Sequence, residues 1–488
     1  MLAGSAINSA LAAITALVIT PMAIGVIGPS IYGAWLASGD LMIWLQSSDL
    51  GLCNLMIQRI GAAHGKDDAN AVARNFGTGM VLIFGISLLV GVVGVALSFA
   101  LPCILRIEGG SAHVVASCFR WGSLACALML LHFGFLGYFR AVQRTIAINL
   151  LSLIGTLLNL VVVVALLRNG WGLNALAAGM VVRSMWMLSS SAILFIVAEW
   201  KHFSRRTLYD TATRRDMINA VPATALGVLA FAVMNSSDSL VVSLILGNAT
   251  VPAYTFTKKA ADVLRSMLDM VAYAAYPGFA HLVGSEQRAK APAVYRNIMA
   301  FFVLISVCAA VGYMTTNHVF VNLWVGNTFY LGGTLTTLFA LQMIISSASL
   351  LVNYLYRSID RVVHGSLVFS LEALAKLSAV CVGCYLLGVV GIPVGSIMIS
   401  LVFIVANYRL TFTAMGEAIR KESFSKSIWI VPVICLTLGA TYEYTTRDVG
   451  SLYQGAGGVL MAVFAAITML LFMREARVLK QYVNYKLW

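Results

Sequence analysis

One pattern governs what this chain can become. Apolar runs long enough to cross a bilayer alternate with short loops, and nearly all the basic residues fall in every second loop. A spanning helix needs about 20 consecutive apolar residues. Fourteen runs meet that need, at 5–27, 34–54, 76–103, 115–137, 146–168, 174–198, 218–247, 253–282, 297–322, 331–357, 364–390, 392–413, 428–446 and 456–474. With the N-terminus placed in the cytoplasm, 23 of the 32 Lys and Arg residues lie on the cytoplasmic side. Only Arg106, Arg168 and Arg447 lie outside, and Arg120, Arg183, Lys258, Lys259, Arg265 and Lys376 lie within runs. A wrong helix count would scramble this alternation downstream of the error. The reading is therefore an all-α polytopic membrane protein of fourteen transmembrane helices, with both termini cytoplasmic. The second and eighth runs are the weakest, because they carry internal charges.

Composition agrees. Hydrophobic residues make up 60% of the chain and charged residues 10%, against about 25% charged in ordinary soluble proteins. That excludes a soluble enzyme, a disordered chain and a secreted disulfide scaffold. The net charge of +13 is mostly cytoplasmic loop charge facing anionic lipid headgroups. No basic face combines with base-stacking aromatics, so no nucleic-acid partner is expected. Cys381-x-x-Cys384 lies in an apolar run with no further Cys or His beside it, and reads as small buried hydrophobes. The histidines show no metal-ligand spacing, no phosphate-binding Walker loop is present, and no cofactor is expected. The first run is a full-length span without a basic leader, which is not the pattern of a cleaved signal peptide. The longest outer connection is about a dozen residues, which argues against a glycan polymerase or ligase and for a protein that is not an enzyme.

The chain also repeats itself. Tyr32, Asp40 and Ala71-Val72-x-Arg74-Asn75 recur 222 residues later as Tyr254, Asp262 and Ala293-Val294-x-Arg296-Asn297. Farther on the offset is 217, where Arg140-x-x-x-Arg144 matches Arg357-x-x-x-Arg361. The unit is six spans, an even number, so both copies enter the membrane in the same sense and form pseudo-symmetric lobes related by an axis along the membrane normal. The expected divisions are an N-terminal lobe over 1–217, a C-terminal lobe over 218–427, and two further helices with a cytoplasmic tail over 428–488. A duplicated helical bundle of this kind commonly encloses a substrate path.

Ionisable groups at membrane depth are costly and mark functional sites. Besides the six cations above, the runs hold Asp40, Asp49, Asp238, Asp262, Asp269 and Glu372. Lys258, Asp262, Arg265 and Asp269 fall at i, i+4, i+7 and i+11 in the eighth run, which puts them within about 60° of one another on one helix face. Two readings stand. The stripe lines a water-filled cavity where Lys258, Lys259 and Arg265 meet an anionic substrate, or it is an ion-pair ladder serving stability. The equivalent stripe of the second run keeps the tyrosine and Asp40 but loses the bases. Arg183 and Lys376 sit near mid-span, while Arg120 has a cavity role or snorkels to outer headgroups. Glu372 and Lys376 are spaced to neutralise each other. Asp238, within Asn235-Ser236-Ser237-Asp238-Ser239, reads as a proton or sodium site or as a structural polar contact.

The residues also resemble a known family. Gly28-Pro29-Ser30-Ile31-Tyr32-Gly33-Ala34-Trp35, Ser48-Asp49-Leu50-Gly51-Leu52, Ser237-Asp238, Tyr276-Pro277, Leu323-Trp324-Val325-Gly326 and Gly391-Ile392-Pro393-Val394-Gly395-Ser396 resemble segments of polysaccharide transporters. These belong to the multidrug/oligosaccharidyl-lipid/polysaccharide (MOP) exporter superfamily. The resemblance implies two six-helix lobes in a V, two extra C-terminal helices, and alternating access. Many relatives carry a basic amphipathic lead-in before the first span, whereas here Met1 enters it almost directly. The resemblance to O-antigen flippases implies transport of lipid-diphosphate-linked oligosaccharide across a bacterial inner membrane. The partners would be that substrate, the bilayer and other membrane proteins of glycan assembly. On this reading Lys258, Lys259, Arg265, Arg183, Lys376 and Arg120 are candidates to hold the diphosphate, and Asp238, Asp262, Asp269, Glu372 and Asp40 to couple transport to protons or sodium. The alternatives are a cation-coupled drug exporter of the same superfamily and a membrane scaffold or enzyme of glycan assembly.

Overall fold

A computed structural model describes residues 2–203, 208–359, 361–415 and 436–442. Among the described residues every regular element is helical. In chain order the helices are α1 (Leu2–Ile27), α2 (Pro29–Gln46), α3 (Leu52–His64), α4 (Ala69–Ile104), α5 (Gly110–Ala141), α6 (Thr145–Arg168), α7 (Leu173–Ala198) and α8 (Trp200–Phe203). They continue as α9 (Thr211–Asn235), α10 (Asp238–Leu246), α11 (Val251–Gly284), α12 (Ala291–Val325), α13 (Gly333–Arg357), α14 (Val362–Leu387) and α15 (Gly391–Met415). Seven helical runs among them are long and apolar enough to cross a membrane, or eight if the bent α9 is one span. The longest, Val362–Thr411, is α14 and α15 together. The charged runs α2 and α11 are not in that set. Of the expected runs 13 and 14, only 436–442 is described, as helix, and the rest lies outside the described residues.

Two expected spans are interrupted, each for a local polar reason that averaged hydropathy cannot register. The run 34–54 stops as a helix at Gln46, passes through a 3-10 turn at Ser47–Asp49 and turns at Leu50 (φ 53°) and Gly51 (φ 76°). Asp49 then accepts hydrogen bonds from the backbone N–H of Gly51 (3.1 Å) and Cys53 (3.4 Å), satisfying donors that the first turn of α3 leaves open. The run 218–247 breaks at Ser236–Ser237 between α9 and α10.

The repeat is visible in backbone geometry. Gly28 (φ 83°, ψ 156°) precedes α2, and Gly247 (φ 93°, ψ 158°) precedes the 3-10 turn Asn248–Thr250 that leads into α11. Only glycine adopts such angles cheaply. The 3-10 turn is a three-residue insertion, which is why the glycines are 219 apart and the tyrosines 222. Arg140 sits in the last turn of α5 and Arg144 at the N-cap of α6, as Arg357 ends α13 and Arg361 caps α14.

The chain forms two compact units, Met1–Pro252 and Ala253–Trp488. In the first, α5 packs on α4 and α7, α6 on α1 and α7, and α10 on α2. An aromatic cluster of Phe76, Phe135, Tyr138, Phe195 and Phe203 closes one end of this packing, with the Phe76 and Phe195 rings stacked at 4.5 Å. In the second, α13 packs on α12 and α15, and α14 on α15. The α14–α15 contact is backbone on backbone: a Cβ at Gly391 would lie 1.8 Å from the Gly383 carbonyl oxygen. Small residues permit this approach, the usual way helices associate without a hydrophobic drive between them.

Candidate functional site

The densest group of charged side chains runs through the second unit, across α11, α13, α14 and α15. On α11 the four-residue ladder forms as two i, i+4 pairs. Lys258 Nζ lies 3.2 Å from Asp262 Oδ1, and Arg265 Nε lies 3.8 Å from Asp269 Oδ2. The side chains of Lys258, Arg265 and Asp269 are largely shielded, at 12, 11 and 9% exposure, whereas Asp262 is 43% exposed. The head of the ladder is therefore open and its lower pair enclosed. Lys258 also lies over the Tyr254 ring, 6.0 Å from its centroid, an arrangement that adds cation–π attraction.

The enclosed pair is stitched to α13, where Ser347 Oγ donates to Asp269 Oδ1 at 2.6 Å. From the flanking positions of the same helix, Ser349 Oγ donates to Glu372 Oε1 of α14 at 2.8 Å, and Ser346 Oγ accepts from Lys376 Nζ at 3.0 Å. Glu372 and Lys376 are buried, at 0 and 3% exposure. Arg265 is close enough to Glu372 to act on it electrostatically, and Ser400 of α15 approaches the same carboxylate. Two cations and two anions thus share one low-dielectric seam, where a lone charge would be very costly. At the other end of α13 a second polar knot is neutral: Asn317 donates to the Thr257 carbonyl (3.0 Å), Tyr313 Oη (3.2 Å) and Thr336 Oγ1 (3.1 Å).

The remaining expected residues lie elsewhere. Lys259 is half-buried on α11, next to Lys258. In the first unit, Arg120 of α5 stacks over Phe99 at 4.7 Å and donates through Nε to Ser98 Oγ at 3.3 Å, anchored against α4. Arg183 of α7 is half-buried, with its Nε buried and without a hydrogen-bond partner. Asp40 of α2 is buried and accepts from the backbone N–H of Leu240 at 2.9 Å, in the first turn of α10. Asp238 begins that same turn, half-buried. Of the eleven expected site residues, α11 and α14 carry seven, Lys258, Lys259, Asp262, Arg265, Asp269, Glu372 and Lys376, while Arg120, Arg183, Asp40 and Asp238 belong to the first unit. Among the described residues no three His, Cys, Asp or Glu side chains converge as a metal-ligand set.

Sequence reasoning passed over the serines that hold the seam together. Ser346-Ser347-Ala348-Ser349 interrupts an otherwise apolar helix, and all three serines are fully buried. Such a run deep in an apolar helix was a usable signal, because a hydroxyl there needs a partner. Also missed was Glu199, buried at the end of α7, which accepts from Tyr138 Oη (3.0 Å) and from the Arg144 guanidinium.

Comparison with known proteins bears on this arrangement. A family described as polysaccharide biosynthesis proteins matches residues 112–330. A search of curated proteins finds no match. Among solved structures, the inward closed form of the lipid II flippase MurJ is similar with a TM-score of 0.68 at 10% identity, over 98% of this chain and 100% of that chain. An inward-facing multidrug resistance MATE family transporter of the MOP superfamily gives a TM-score of 0.64 at 14% identity, over 85% of this chain and 96% of that one. A mutant form of the Vibrio cholerae MATE transporter VcmN gives 0.57 at 14% identity, over 87 and 99%. The chain has the fold of MOP-superfamily transporters, and the resemblance to their polysaccharide branch read from its sequence stands.

Proposed function

We propose that this protein is a flippase that moves a lipid-diphosphate-linked oligosaccharide across a bacterial inner membrane by alternating access, with both termini in the cytoplasm, for assembly of a cell-surface polysaccharide. The observation that carries the reading is the pair of shielded cations on one face of α11, Lys258 and Arg265, each held by an acid one turn away. A diphosphate can exchange with such an acid, and charge-assisted hydrogen bonds in a low-dielectric setting make its hold strong. Arginine adds a forked donor geometry that matches phosphate oxygens. The polysaccharide family match over 112–330 supports a glycan cargo, and the full-length likeness to a lipid II flippase supports a lipid-linked one. Lys259 and the first-unit cations Arg183 and Arg120 are secondary candidates. The fourteen-span count and the six, six and two grouping of helices belong to this proposal.

The MATE likeness supports a second reading, export of cationic drugs. A pocket for cations is better served by acids without counter-ions than by the balanced set on α11 and α14. The test is reconstitution into liposomes with a lipid-diphosphate oligosaccharide. The Lys258→Gln/Arg265→Gln variant should lose leaflet exchange at unchanged levels of reconstituted protein. Normal exchange by that variant refutes the assigned role, and altered drug susceptibility on expression, with no glycolipid exchange, favours the second reading.

A further inference from the structure

Glu372 presents a problem that the cargo does not solve. Its side chain is fully buried on α14; Oε1 accepts from Ser349 Oγ at 2.8 Å, while Oε2 has no hydrogen-bond partner. Ser400 Oγ of α15 approaches the carboxylate, is itself fully buried, and closes no hydrogen bond of good geometry. A carboxylate in such a place must be neutralised by a proton, by a bound cation or by a cation of the protein's own. Four residues on, Lys376 rises on the same face of α14, and its Nζ donates to Ser346 Oγ at 3.0 Å. Ser346 and Ser349 are i, i+3 neighbours on α13, so the hydroxyls that hold the ammonium and the carboxylate share one helix face. Arg265 and Asp269, the other charged groups here, are already paired with each other.

We propose that the Lys376 ammonium is a tethered cation filling a site, made by Glu372, Ser346, Ser349 and Ser400, that would otherwise take a free monovalent cation. Small hard cations prefer carboxylate and neutral oxygen ligands of this kind. The chain is then indifferent to sodium at this site, and removing the lysine turns the site into a sodium site. The inference concerns a bound ion rather than the cargo. It is read by binding alone, so its failure would leave the flippase reading standing, and loss of that reading would leave this one intact.

The experiment uses the full-length protein in nanodiscs, with thermal unfolding followed in NaCl against choline chloride at equal ionic strength. Wild type should unfold at the same temperature in both salts. Lys376→Met should be less stable in choline chloride and regain stability as NaCl rises, with saturation. The Glu372→Gln/Lys376→Met pair, with no charge left to compensate, should fold and lose the sodium response. Three results would overturn the proposal. The first is a sodium response in wild type that Glu372→Gln removes, which would place a free cation beside the lysine. The second is Lys376→Met equally stable in both salts, which would mean a proton suffices. The third covers failure to fold: if Lys376→Met stays unfolded even in NaCl while the double variant folds, no cation has replaced the ammonium.

Discussion

Replacing Asp40 should loosen one helix end 200 residues away. α10 starts at Asp238, and its own N-cap, Ser237, makes no side-chain cap bond. The orphan N–H of Leu240 is taken by the buried Asp40 carboxylate at 2.9 Å. An N-cap oxygen contributes about 0.5–2 kcal/mol, and a negative charge at a helix N-terminus adds about 0.3–1 kcal/mol. Asp40→Asn keeps an oxygen acceptor and loses only the charge, while Asp40→Leu loses both contributions. At roughly 1.4 kcal/mol per tenfold change, amide exchange in the first turn of α10 should quicken by about 2- to 5-fold in Asp40→Asn. In Asp40→Leu the two contributions together, about 0.8–3 kcal/mol, should quicken it by roughly 4- to 140-fold on the same scale. Hydrogen exchange with mass spectrometry on peptides spanning 237–246 reads this directly, with α4 and α5 peptides as internal standards. Unchanged exchange in Asp40→Leu would refute the capping role, and equal effects of the two variants would refute the share given to charge.

Two further outcomes follow from local geometry. Gly391→Ala puts a methyl 1.8 Å from the Gly383 carbonyl oxygen, and since backbone cannot yield, a loss of about 1–3 kcal/mol or more is expected, read as a lower unfolding temperature; Gly85→Ala, which meets nothing within 4 Å, should not lower it. In the connection ahead of α9, hydrogen bonds from the Thr213 hydroxyl and N–H (2.6 and 2.8 Å) hold the Asp210 carboxyl below its usual range. Its folded pKa is therefore below its unfolded one, so this cap's contribution is present above about pH 4 and fades as pH falls through the folded value. Exchange at residues 212–215, corrected for intrinsic rates, should show that acid step in wild type and lose it in Asp210→Ala.

What could be read in advance follows from the range of the forces involved. Helix positions came through because burial in lipid demands long apolar runs, and ten of the first twelve expected runs correspond to single helices. The two interruptions did not: the first rests on a single hydrogen-bonding side chain, Asp49, and the second on two serines, Ser236 and Ser237, whose weight vanishes in a window average. On α11 the ladder was legible, since i, i+4 spacing is a local property. Its attachment to Ser347, and that of Glu372 to Ser349, is not local: these partners are 78 and 23 residues apart and meet only after the helices pack. Asp40 and Leu240, 200 residues apart, are the extreme case.

The two stretches matched by the sequence repeat show why such pairings resist prediction even where the sequence spacing is plain. Asp40 and Asp262 occupy matching positions, yet one is buried and bonded to the Leu240 amide in the first turn of α10 and the other is half-exposed beside an ammonium. Either neighbour supplies positive potential, a helix N-terminus about half a charge and a lysine a full one. The constraint is on the sum of charge near the acid, and a sequence can meet it in several ways. Asp269 and Glu199 meet it with guanidinium groups, and Asp49 with two amides. Of the two copies, only the α11 stretch carries cations at these positions, Lys258 and Arg265, where the α2 stretch has Leu36 and Ile43. On the proposed flippase reading, that asymmetry directs a diphosphate to the α11 cations rather than to α2.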